Sequence, residues 1–92
     1  PTQTSLNTIL ARLASKEAQI RYRALRSLAS FPADSWIESV GPLLSDKVRA
    51  VRIAAADLYI TIPSTQIPAN YTKAFAAAQI ELEKSLRFQT DF

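Results

Sequence analysis

No cysteine, histidine or methionine occurs in the chain, and glycine occurs once, at Gly41. Without cysteine there is no disulfide, no thiolate nucleophile and no thiolate-held metal, and the redox compartment is left open. The lack of histidine removes the usual general base, the usual zinc and haem ligands, and every Ser-His or Cys-His arrangement. A single glycine leaves no phosphate-cradling loop. There is no run of about 18 apolar residues, so no membrane insertion is expected. The opening PTQTSLNTIL lacks the basic and then apolar segments of a secretory signal. Carboxylates are present but do not converge: Glu81 and Glu83 lie two apart on a predicted helix and face different ways, while helix capping accounts for Asp34 and Glu38. The expectation is a protein that is not an enzyme and holds no cofactor or metal.

What the chain does have is helical vocabulary. Of its 92 residues 48% are hydrophobic and 21% charged, which suits a globular helical domain rather than a disordered segment. It starts at proline, with no methionine anywhere, and stops at RFQTDF just past a strong helical pattern. We read it as a piece of a longer polypeptide; a removed initiator methionine explains the start equally well.

The strongest signal is internal repetition. Sliding the chain by 31 residues pairs Pro1 with Pro32 and Pro63, Ile9 with Val40, Leu13 with Leu44, Ile20 with Val51, Arg21 with Arg52, Ala24 with Ala55, and Phe31 with Ile62. Within each unit the apolar residues recur at helical spacing: Leu6, Ile9, Leu10 and Leu13 in the first, Trp36, Ile37, Val40, Leu43 and Leu44 in the second. Asp34 or Ser35 is placed to cap the latter helix, with Glu38 completing a capping box, and Gly41-Pro42 predicts a kink or early stop. Asp46 is expected to cap a second helix from about Lys47 to Ile60, ended by Pro63. After PSTQIP the pattern changes to one long amphipathic helix, started by Pro68, with Tyr71, Phe75, Ala78, Leu82 and Leu86 on its apolar side.

A Ser/Asp turn, then Val-Arg, then small residues on the second of two antiparallel helices resembles a HEAT-like repeat of the short bacterial kind. The match covers residues 1–62, clean at Asp46, Val51, Arg52, Ala54, Ala55 and Ala56, and looser where Arg23 and Leu25 replace alanines. The resemblance implies an all-α fold: an α-α superhelix of HEAT-like hairpins with about five helices. It divides one domain into unit 1 (1–31), unit 2 (32–62), and a capping or connecting helix (63–92). It also implies that Arg21, Arg52 and Asp46 belong to a charge-assisted ladder between units; the alternative is that these arginines sit on a solvated helix face. Ser15 stands where Asp46 stands, which leaves Arg21 with no acid at its own turn.

The helix AAAQIELEKSLRFQTDF after such units also resembles the linker region of a family of bacterial multihaem cytochrome c proteins that carry tetratricopeptide repeats. None of that family's haem motifs lies in this chain, so no haem role passes to any residue. That resemblance implies an exported, periplasmic parent; without it a cytoplasmic one is expected.

The net charge of +3 is unevenly placed: residues 1–31 carry Arg12, Lys16, Arg21, Arg23 and Arg26 against Glu17 alone. A phosphate-tracking groove needs bases that continue from unit to unit, but Arg23 and Arg26 become Ala54 and Asp57 in the second. The function expected is a protein-protein interaction scaffold that orients flanking domains or binds a partner subunit. Nucleic-acid backbone binding through the first unit is the disfavoured alternative. Candidate partner-binding residues are Arg23, Arg26 and Tyr22, together with Tyr71 and Phe75 at the head of the last helix.

Overall fold

The structure, a computed structural model, describes residues 3–90, with side chains up to residue 86. Pro1 and the side chain of Arg87 lie outside the described residues. Among those described, all regular structure is helical and there is no strand. The protein is all-α, with five α-helices linked by short 3₁₀ turns.

Helix α1 spans Gln3–Arg12 and α2 spans Ala18–Ser27, joined by a turn in which Ser15 Oγ accepts the Glu17 N–H at 3.1 Å. Helix α3 is reduced to Ile37–Val40, between a 3₁₀ turn at Ala33–Ser35 and another at Gly41–Ser45. The break falls at Gly41-Pro42, where the sequence predicts a kink or early stop. Pro42 has no N–H to give the carbonyl four residues back, and the chain answers with the tighter 3₁₀ winding, which keeps the same apolar residues inward. The expected capping box, in contrast, is absent: Ser35 Oγ donates to the Pro32 carbonyl at 2.6 Å and no side chain caps α3.

Helix α4 spans Arg49–Tyr59, starting two residues later than its capping Asp suggests. Asp46 Oδ1 accepts the Val48 N–H at 2.9 Å, so it fixes the turn that leads into the helix. Two prolines, Pro63 and Pro68, each precede a 3₁₀ turn, and α5 then runs over Thr72–Thr90.

Helix α4 is the centre of the stack, packed against α2 on one side and against α5 on the other, while α1 packs on α2. Its run Ala54, Ala55 and Ala56 is buried, and such small side chains let the neighbouring backbones approach. Leu25, Leu28, Val40, Val51 and Tyr59 form the most enclosed part of the core. Trp36 is 3% exposed and its indole N–H donates to the Phe31 carbonyl at 3.1 Å, so burial leaves no orphaned donor. From α5, Ala78 and Leu82 are buried. Leu86, expected on the same apolar stripe, is 51% exposed.

Candidate functional site: two arginine clamps along the stack

Arg21 and Arg52 stand 31 residues apart at the same place in α2 and α4 and make the same kind of bonds. Arg21 donates through Nε to Asp46 Oδ2 at 2.8 Å, through Nη2 to Asp46 Oδ1 at 3.0 Å, and through Nη1 to the Ser15 carbonyl at 2.9 Å. Arg52 donates through Nε to Glu81 Oε1 at 2.8 Å, through Nη2 to Glu81 Oε2 at 2.9 Å, and through Nη1 to the Asp46 carbonyl at 2.9 Å. Each guanidinium therefore holds the carbonyl of its own turn with one arm and grips a carboxylate on the following element with the other two. The planar fork is what permits this; lysine presents a point charge and has no equivalent.

As the sequence indicates, no acid stands at Arg21's own turn, where Ser15 replaces Asp46. The acid that Arg21 uses belongs to the next unit, so the residue at its own turn is asked only for a carbonyl and a short capping oxygen. Ser15 and Asp46 both supply these. Glu81 is the member that sequence reasoning passed over, since α5 lies outside the repeat. The signal available was that Arg52, like Arg21, needs a carboxylate on the element that follows.

The two clamps differ in their surroundings. The side chains of Arg21 and Asp46 are 8% and 9% exposed, whereas Arg52 and Glu81 are 27% and 26% exposed, with Arg49 adding a contact to Glu81 at 3.3 Å. Burial works to raise the Asp46 pKa, but the bonds from Arg21 and the Val48 N–H, with the charges of Arg21 and Lys47, outweigh it, and the net direction is down. For Glu81 the bonds from Arg52 are the main cause of a lowered pKa; burial opposes them, and the charges of Arg52 and Arg49 add to them. Both carboxylates thus stay ionised through neutral pH.

The candidate partner-binding residues do not form one surface. Tyr22 is 38% exposed and lines a crease of about 320 Å³ between α2 and α4, with Ala18, Val48 and Val51. Arg23 sits on the opposite side of α2, at the rim of a cleft between α1 and α2. Arg26 faces Asp57 at 3.8 Å, with both side chains more than half exposed, a pairing that contributes little to stability. Tyr71 and Phe75 turn inward. Phe75 packs on Tyr59 with ring centroids 5.6 Å apart, and Tyr59 in turn meets Trp36 at 6.3 Å. The Tyr71 ring lies directly on Gly41, where a Cβ would run into it. Tyr59 is fully buried and donates to the Ile37 carbonyl; burial, with smaller effects of Tyr71 and Glu38, pushes its pKa up to about 12.

Among the described residues no group of three or more carboxylate, imidazole or thiol side chains is placed to hold a metal, and no helix is long and apolar enough to cross a membrane. What the geometry defines is an all-α stack tied together by charged clamps. Compared with known proteins, the chain matches no family model, no curated protein and no solved structure.

Proposed function

We propose that this chain is a non-catalytic scaffold module built from two HEAT-like hairpins and a covering helix, which orients the domains or partner subunits that adjoin it. The observation behind the proposal is the pair of clamps, in which two arginines in register each tie one element to the next by two charge-assisted bonds to a carboxylate while a third holds the carbonyl of the arginine's own turn. Bidentate pairs fix angle as well as distance, the property required of a spacer. A place between the haem domain and the tetratricopeptide repeats of a multihaem cytochrome c protein would use that rigidity, and the resemblance of the last helix favours it.

The test is a distance distribution. The sequence has no cysteine, so Thr8→Cys and Lys84→Cys accept one spin label each, on exposed positions of α1 and α5. Pulsed dipolar spectroscopy should return a single narrow distance in this parent and a broader one after Arg52→Ala. A distribution as broad in the parent as in the variant refutes the spacer.

Nucleic-acid binding through unit 1 is favoured only by its excess of bases. It predicts a low-salt gel shift that Arg23→Glu/Arg26→Glu abolishes, and the Asp57 carboxylate beside Arg26 argues against it.

A further inference from the structure

The cleft between α1 and α2 has a volume of about 300 Å³ and is lined by Ile9, Arg12, Ile20, Arg23, Ala24 and Ser27. Shifting those six positions by 31 residues gives Val40, Leu43, Val51, Ala54, Ala55 and Leu58, and every one of these is buried. In unit 2, with a neighbour on either side of α4, this set is interior. In unit 1 only Ala24 of the set is buried, and half of the set has been rewritten: Arg12 for Leu43, Arg23 for Ala54, Ser27 for Leu58. Ile9 and Ile20 stay half-buried as an aliphatic floor, and Arg12 and Arg23 are exposed with no carboxylate within ion-pairing distance among the described residues.

A face that stacks on another hairpin of the same kind has to be apolar at these positions, because covering two unpaired guanidiniums costs several kcal/mol. A face left to water alone has no use for an open aliphatic floor. We infer that this cleft binds an acidic segment of a partner protein, one that sets an apolar side chain between Ile9 and Ile20 and offers carboxylates to Arg12 and Arg23. This deepens the scaffold reading by naming the chemistry of one partner. The cleft's volume stands at the lower end of the range for binding pockets, which suits a few side chains rather than a whole domain.

Charge complementarity selects this occupant. Of the five bases in unit 1, Arg21 is clamped by Asp46 and Arg26 faces Asp57, which leaves Arg12, Lys16 and Arg23 against Glu17, and two of those three bases frame the cleft. Nucleic acid fits less well, since base stacking needs an aromatic platform. The floor here is aliphatic, and Tyr22 lies in the separate crease between α2 and α4.

The experiment follows amide and methyl resonances of the whole chain while a synthetic helical peptide is added, made of leucine, alanine and glutamate with the leucines on one face. Saturable shifts confined to Ile9, Ile20, Ala24 and their neighbours are expected. Arg12→Glu/Arg23→Glu should weaken binding by about tenfold or more at low salt while leaving the melting temperature unchanged, since both side chains are exposed. The same variant should instead bind a peptide with lysine in place of glutamate. Shifts that miss the cleft, or that survive the charge reversal, overturn the inference. So does displacement of the peptide by oligothymidylate at equal concentration, which would assign the cleft to nucleic acid. None of these outcomes moves the label-to-label distance that judges the spacer, so the two readings fail separately.

Discussion

Cutting the inner clamp should cost more stability than any other single change to a charged residue described above. Arg21 and Asp46 are 8% and 9% exposed, which places them with buried ion pairs, where losing one partner costs about 3–5 kcal/mol because the other charge is stranded. In Arg21→Ala, Asp46 keeps the Val48 N–H and gains some access to water through the space vacated, so we expect a loss of about 2–4 kcal/mol. That is a large share of the roughly 5–10 kcal/mol expected of a domain this size, equivalent to about 10–25 °C in melting temperature. Asp46→Asn retains the turn bond while removing the charge, and should cost about 1–2 kcal/mol. The double variant completes a cycle whose coupling should be about 1–3 kcal/mol. Urea unfolding followed by circular dichroism supplies the measurement, with exposed Arg23→Ala as a control expected to stay within about 0.5 kcal/mol.

Acid adds an independent check. The Asp46 pKa is lowered from 3.8 in the folded state, so the unfolded chain takes up the proton first, and stability falls as pH drops through that value towards the folded one. Above it the contribution is fully present. Arg21→Ala should flatten this acid limb. A cost no larger than that of Arg23→Ala, an additive cycle, or parallel pH curves would each refute the view that the clamp holds α2 to the following turn.

Three further outcomes test the packing. Leu82→Glu places a charge on α5 where it is buried against the stack, and should destabilise by about 2–4 kcal/mol in the same assay; an unchanged melting temperature would mean that face is free. Gly41→Ala should cost about 1–3 kcal/mol by overpacking against the Tyr71 ring, and Tyr71→Ala in the same chain should recover part of it. Tyr59 should ionise near pH 12 in an ultraviolet alkaline titration. Because its folded pKa is raised from 10.0, stability should be intact below that value and fall as pH climbs from 10.0 to about 12; Tyr59→Phe should lose that alkaline dependence.

The helical class was legible because apolar spacing survives changes in winding. Trp36, Val40, Leu43 and Leu44 are all buried although the segment is α-helical for only four residues. Hydrogen-bond type was not legible to the same degree: Pro42 announces a break, but whether the chain kinks or tightens depends on what packs on it. Gly41 shows the limit. Its backbone φ is −45°, an ordinary helical value, so the glycine is there to let an aromatic ring from another element approach, and nothing local in the sequence names Tyr71 as that ring. The inward turn of Tyr71 and Phe75 follows from the same contact and from Tyr59, both long-range facts.

The clamps show why register mattered more than motif. Reading each turn by itself makes Ser15 a defect and Glu81 a surface residue. Reading each arginine as reaching forward to the next element makes Ser15 sufficient and Glu81 necessary. The reach is 25 residues for Arg21 to Asp46 and 29 for Arg52 to Glu81, because α5 follows its partner through two 3₁₀ turns and meets α4 with its middle rather than its start. A helix that breaks the repeat in sequence can therefore keep it in space: it has only to bring a carboxylate to the place where a further hairpin would have carried one. The same logic separates the two ends of the stack. At the α5 side the arginine is answered from within the chain. At the α1 side, Arg12 and Arg23 replace the apolar residues that a like neighbour needs, and the chemistry required there changes from aliphatic to acidic.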